Sequence, residues 1–426
     1  QILFLRKISR KTWAFFETFV GKDDHWLPPD NYQEYRGTSV AHRTSPTNMG
    51  IALLANLTAY DFGYIPAGYL IERTANTLRT MQSMERHRGH FYNWYDTSSL
   101  KPLHPIYVST VDSGNLVGHL LALRPGLLAL PDAPIVGARV FEGLQDTLAI
   151  LIDVAARYPV DALAQFKADF ESECAFQPNT LGQAWECLYR LLMLTEKFSV
   201  NLDTLDVDAG APASIKSAGR VEAKGAETAI ATETNQKYHQ AVDSNSSHSA
   251  LGRAKSDINW WTQTLIRQCR AVIDEMMFLA PWLALPAAPT GAADYPGIGT
   301  IPTLRELARF ETDVLPVISQ RLIDDALPSP HREWLQRFHT GIITAAQRAA
   351  ERIFVVPALA LPGGTELCTN GEVGHLFVCN GWISVLERVD FEISPGGAAF
   401  GPQIHLGAVS LLERDGPSRL EWPIDC

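Results

Sequence analysis

The 426-residue chain has no Cys-x-x-Cys pair, no Gly-x-Ser-x-Gly, no phosphate-binding Gly-rich loop and no dinucleotide fingerprint. These absences remove thiol-redox, zinc-knuckle, serine-elbow and nucleotide-phosphate chemistry from the available readings. Charge is scarce at 19% and tilts acidic, with a net charge of −11 and a pI near 5.6. No basic run offsets that acidity, so no nucleic-acid partner is expected. Long apolar runs are missing too. The most apolar stretch, 116–130, is interrupted by His119, Arg124 and Pro125, well short of the roughly 20 apolar residues of a membrane span; this segment is therefore read as soluble. The opening Gln1-Ile2-Leu3-Phe4-Leu5-Arg6-Lys7 puts charge after a very short apolar run, the reverse of a secretory signal. It lacks an initiator Met, and residue 1 is read as an interior point of a longer chain. The cysteines Cys174, Cys187, Cys269, Cys368, Cys379 and Cys426 have no metal-ligand spacing and are read as free thiols in a reducing compartment. His42, His87, His90 and His119 are irregularly spaced, so neither a metal nor a cofactor is expected.

What is present is apolar material, 46% of residues, enough for a substantial core. Its periodicity is helical. Ser45 is a good N-cap with Pro46 at the first helical position, followed by Met49, Leu53, Leu54 and Leu57, and Gly63 closes that helix. A second helix starts near Pro66, carries Leu70, Ile71, Thr74, Leu78 and Met81, and is predicted to stop at Gly89. Residues 91–96 and 107–110 read as loops or strand stubs. A third helix begins where Asp112 or Ser113 can cap Leu116, Val117, Leu120 and Leu121. Further helices are predicted at about 136–156, 160–174, 182–199, 257–280, 303–326 and 331–353. Amphipathic helix pairs joined by short loops make the fold class all-α, a partial α/α toroid or helical-hairpin barrel.

Composition divides the chain. Residues 1–207 form the N-terminal half with the motif-bearing loops; 208–256, rich in Ala, Gly, Ser, Thr and Lys, read as a linker or low-stability insertion. Residues 257–360 continue the helices across a Pro- and Gly-rich break at 284–300. From 361 to 426 the helical period is lost, and short alternating runs among glycines read as a few β-strands in an atypical tail.

Two stretches carry the chemistry: His25-Trp26-Leu27-Pro28-Pro29-Asp30-Asn31-Tyr32-Gln33-Glu34 with Ala41-His42-Arg43-Thr44-Ser45-Pro46-Thr47-Asn48-Met49-Gly50, and Arg88-Gly89-His90-Phe91-Tyr92-Asn93-Trp94-Tyr95-Asp96-Thr97. Aromatic planes alternating with amides and carboxylates suit a sugar ring, whose C–H faces stack and whose hydroxyls need paired donors and acceptors. Trp26 belongs to this set. Asp30, Asn31, Gln33 and Glu34 follow a Pro-Pro step that aims them; they are polar contacts of a sugar cleft, or a lock in which Asp30 caps a turn and Glu34 pairs with Arg43. Ser45 is sufficiently explained as a cap, whereas Arg43 and Asn48 are ligand candidates or clamps on that loop. Tyr92, Asn93, Trp94, Tyr95 and Asp96 are the strongest binding candidates, against the alternative of a packed aromatic corner. Asp112 is a ligand or a helix cap.

With Tyr107-Val108-Ser109-Thr110-Val111-Asp112-Ser113-Gly114-Asn115-Leu116 and Ala280-Pro281-Trp282, these motifs resemble the cyclic β-1,2-glucan synthases. The likeness is dense from Thr12 to about Leu123, looser to about Arg352 and absent beyond. It falls on the start of the central glycoamylase-like or transglycosylation region of very large bacterial inner-membrane proteins. Those proteins also carry a glycosyltransferase portion and a phosphorylase-like portion. The resemblance implies an α/α toroid on the cytoplasmic side of the membrane that takes linear β-1,2-glucan and closes it into rings by retaining transglycosylation. Retaining chemistry needs two nearby carboxylates, which in the family lie in a Met-Phe-Glu-Tyr string and in an acidic run before Ser-Ala-Tyr-Asn. Neither string occurs here; Phe141-Glu142, Phe310-Glu311 and Phe391-Glu392 lack that context. Catalytic residues stay unassigned. Trp382-Ile383-Ser384 is what the codons of the family's Met-Asp-Phe give one base later, which implies a shifted reading frame near residue 360 and an out-of-frame tail. Three function readings follow: an incomplete, glucan-gripping part of a synthase with little catalysis of its own; an endo-β-1,2-glucanase using Glu34 or Asp96 with Asp112; and a non-catalytic carbohydrate-binding or structural helical module.

Overall fold

The computed structural model describes residues 1–33, 39–156, 161–204, 250–286, 299–325 and 327–360. The tail and most of the expected linker lie outside them. The described chain is all-α, as its periodicity indicates. Helix α1 spans Ile2–Phe19, α2 Pro46–Asp61, α3 Ala67–Ser83, α4 Thr110–Ala129, α5 Ala138–Ala155, α6 Asp161–Ala175 and α7 Leu181–Thr204. There follow α8 (Ala250–Leu279), α9 (Leu304–Asp313), α10 (Leu315–Leu322) and α11 (Ser329–Ala360). Three short antiparallel ladders join β1 (Tyr32–Gln33) to β2 (Ser39–Val40), β3 (Arg43–Thr44) to β6 (Tyr95–Asp96), and β4 (Arg86–His87) to β5 (His90–Phe91).

Local rules account for the best-read elements. The Ser45 hydroxyl accepts from the Asn48 amide, Pro46 opens α2, and Gly63, at a φ of 75°, lies so close to the Arg139 carbonyl that a Cβ would overlap it. Five departures from expectation are seen, the first three with equally local causes. Helix α3 stops at Ser83 rather than Gly89, because Arg88 and Gly89 both take positive φ (50° and 87°) as the two-residue turn of the β4–β5 hairpin. The α4 cap is Ser109, whose hydroxyl accepts from the Asp112 amide, rather than Asp112 or Ser113. The single helix expected at 303–326 breaks at Val314, and Pro316 lies in the first turn of α10. Helix α1, not expected from its short apolar start, buries Arg10, Trp13 and Phe16 on one face. Helix α8 begins at Ala250, inside the expected linker.

Apolar side chains gather into two cores. One runs from Trp13 to Leu130 along α1–α4 and takes in Val356 of α11; the other runs from Ile135 to Ala349 along α5–α11. Helices α2 and α4 lie side by side with their N-termini at the same end: Thr47 bonds Asp112 at that end, and Leu57 packs on Gly126 further along. The two cores meet at a buried polar seam. Arg10, 1% exposed, donates to Thr147 (2.8 Å) and to Glu17 (3.1 Å), and lies over the rings of Tyr64 and Trp261 (5.2 Å each). Thr147 passes the chain to Gln268 (2.7 Å), which reaches the Gly63 carbonyl (3.0 Å). Beside it Arg6 and Tyr64 both donate to Asp146.

Among the described residues no helix is long and apolar enough to cross a membrane. Cys174, Cys187 and Cys269 are free and buried, and burial raises all three thiols, Cys187 to about 11. The remaining cysteines lie outside the described residues.

Candidate functional site

The β3–β6 ladder brings the two motif stretches together, setting Arg43 opposite Asp96 and Thr44 opposite Tyr95. Buried Pro28 and Pro29 deliver Asp30, whose amide is held by the Ala41 carbonyl (3.1 Å). The half-buried Asp30 carboxylate accepts from Arg43 through Nε (3.2 Å) and Nη2 (2.9 Å), from Asn31 (3.0 Å) and from Asn48 at the start of α2 (3.4 Å). Gln33 continues this row outward to Asn31 (3.4 Å). The Arg43 guanidinium lies over the Trp94 ring, 4.7 Å from its centroid, a stacked cation in a mostly solvated setting. Asp30, Asn31, Gln33, Arg43, Asn48 and Trp94 thus form one connected group. Arg43 engages Asp30; Glu34 lies outside the described residues.

A second polar group adjoins the first through Trp94. Asn93, 6% exposed, satisfies every neighbour when its amide nitrogen donates to Asp112 Oδ2 (2.9 Å) and its oxygen accepts from Trp94 Nε1 and the Tyr107 hydroxyl (2.7 Å each). Asp112 also accepts from Thr47 (2.7 Å) and Ser109 (2.6 Å), and Asn115 donates to Thr47 (3.1 Å). The N-termini of α2 and α4 converge here, and their free amide ends favour the carboxylates set in their first turns and beside them. Thr47, Tyr107 and Asn115, which are not among the sequence candidates, join this group. All three stand inside the motif strings, but only tertiary pairing reveals their role.

Other sequence candidates fall elsewhere. Tyr95 has no exposed surface, and its hydroxyl donates to the Glu85 carbonyl (2.6 Å) while accepting from the Tyr92 amide (2.8 Å). It is a core ring with no face left for a ligand, and burial raises its phenol well above the ordinary range. Tyr92 stands between it and His87 (centroids 6.3 and 6.5 Å), the packed-corner arrangement. Asp96 spends Oδ1 on the amides of Ser98 and Ser99 and on the Ser99 hydroxyl, closing its own turn. Trp26 packs toward α3, with Arg73 over its ring at 5.7 Å and Thr77 bonded to its carbonyl. Every carboxylate described here therefore already holds two or more donors through at least one oxygen. A cavity of about 440 Å³ lined by Val317, Gln320, Arg321 and Asp324 shares no residue with this group.

No family model matches the chain. It is 44% identical over 160 residues to the cyclic β-(1,2)-glucan synthase NdvB of Rhizobium meliloti (strain 1021), a match that takes in 37% of this chain and 6% of that protein. Over that part, the chain resembles a cyclic β-1,2-glucan synthase, as its motifs indicate.

Proposed function

We propose that this chain is part of a cyclic β-1,2-glucan synthase and that its N-terminal region grips linear β-1,2-glucan during ring closure. The observation carrying this reading is the Asp30–Arg43–Trp94–Asn93–Asp112 group: one indole plane between two sets of oriented donors and acceptors. Sugar recognition asks for this pairing of an apolar ring with satisfied polar neighbours. Its partners are then the glucan and the remaining glycosyltransferase and phosphorylase-like portions, at the cytoplasmic side of an inner membrane. The helices belong to an α/α toroid that this chain builds only in part.

Binding is favoured over turnover by this chain alone. Asp96 is committed to its own turn and Asp112 holds Thr47, Ser109 and Asn93, so neither stands ready as acid or nucleophile. Titrating the full chain with linear β-1,2-glucan oligomers, while following tryptophan emission and products, tests both halves. Saturable quenching without shortened or cyclic products is expected, with affinity lost in Trp94→Ala and Asp30→Ala. Hydrolysis that disappears in Asp96→Asn would instead establish the glucanase reading, and no response at all would leave a structural module.

A further inference from the structure

Trp94 sits in the short connection between β5 and β6, where no long ladder fixes a side chain. Its backbone is tied to the strap that follows: the Trp94 carbonyl accepts from Leu103 (2.9 Å), and Asn93 N–H donates to the Tyr107 carbonyl (2.8 Å). Those bonds set the chain path but leave the indole free to turn about its side-chain torsions. Two contacts remove that freedom. Arg43 lies over the ring, and the Asn93 oxygen holds the indole N–H at 2.7 Å. Asn93 is itself immobilised by Asp112 and Tyr107, and Asp112 by the two helix starts. At 6% exposure Asn93 is too buried to serve a ligand directly.

We infer that Asn93 is a positioning residue: by holding the Trp94 N–H against the α2–α4 end, it presents the indole in one orientation to the saccharide. This rests on the glucan-gripping reading above. A preorganised ring forgoes the ordering cost that a mobile one meets on binding. The amide is suited to the task because it both accepts from the indole and donates to Asp112, whereas a carboxylate at 93 would face a second carboxylate.

A double-mutant cycle on the full chain tests it, with a linear β-1,2-glucan oligomer as ligand and the indole N–H resonances as a ligand-free readout. Asn93→Ala should shift or broaden the Trp94 indole resonance and weaken binding about ten-fold, the scale of one lost orienting hydrogen bond. In a Trp94→Phe background, which has no N–H to hold, the same change should weaken binding no further. Asn93→Leu, similar in volume but unable to accept, should behave like Asn93→Ala and separates hydrogen bonding from packing. An equal loss in both backgrounds, or an unmoved indole resonance, overturns the inference. Failure of the unmutated chain to bind the oligomer would refute the glucan reading, while the resonance would still judge the hold of Asn93 on Trp94.

Discussion

Away from the seam, several buried polar side chains of the two cores are satisfied in different ways. In the second core Thr195, Thr262 and Thr264 each donate to the carbonyl four residues back in their own helix, so no neighbour is needed. In the first, Thr77 donates to the Trp26 carbonyl, Arg73 holds Asn56, and Asn93 reaches Asp112 and Tyr107, bonds that cross between elements. Local satisfaction stabilises a helix wherever it packs. Crossed satisfaction specifies where a loop must sit. The loops that carry the motif stretches are held in this second way.

The largest blow to this contrast should come at the seam. Arg10→Met strips Thr147 and Glu17 of their cation and should cost about 3–5 kcal/mol, as breaking one side of a buried charged network does. Denaturant unfolding followed by tryptophan emission should then split into two transitions; a single shifted transition would show the cores to be one cooperative unit. Next come Leu53→Ala and Leu188→Ala, both fully buried, each expected to lose about 2–5 kcal/mol. Oligomer affinity measured well below the melting temperature should fall only for Leu53→Ala, which sits in the helix carrying Thr47 and Asn48. A sharper pair is Thr77→Val against Thr262→Val. The first should cost about 1–2 kcal/mol, since it abandons the Trp26 carbonyl, and the second less than about 0.5 kcal/mol; equal costs would dissolve the distinction.

The smallest effect is a pH dependence. His90 lies below its ordinary 6.5 through burial and then the facing His87, and His119 through burial alone. Each takes up its proton at lower pH in the fold than in the unfolded chain, so their contribution is complete above about pH 6.5 and declines as the pH falls. Melting temperature should drop less steeply from pH 6.5 to about pH 5 in His90→Gln/His119→Gln than in the parent.

Features decided within a few residues were legible from sequence. Ser45, Pro46 and Gly63 bracket α2 because capping and a left-handed closure depend only on neighbours. Gly89 misled because glycine serves a helix end and a hairpin turn equally, and only the pairing of His87 with His90 decides between them. The alternation of Tyr92, Trp94 and Asp96 with Asn93 and Tyr95 marks the right loop. It cannot say which rings turn inward, and Tyr95 proved to be core. The Asp30–Arg43 pair needed the chain reversal between them. The 361–426 tail lies outside the described residues; translating the encoding DNA in the other frames should yield family-like sequence there, and its absence would retire the frame-shift reading.

Helix α11 limits how this molecule may be dissected. Its Arg352 forms an ion pair with Glu275, whose carboxylate also receives the Gly68 amide at the uncapped start of α3, and Val356 is inserted among the first core's side chains. Anyone excising a minimal fragment with the motif-bearing loops at Leu130 would therefore remove a wall of the hydrophobic interior along with the distant helices. Such a cut would also remove Glu275 of α8 and the Thr147 and Trp261 neighbours of Arg10, so α5, α8 and the end of α11 belong with the motif-bearing loops in any piece that closes.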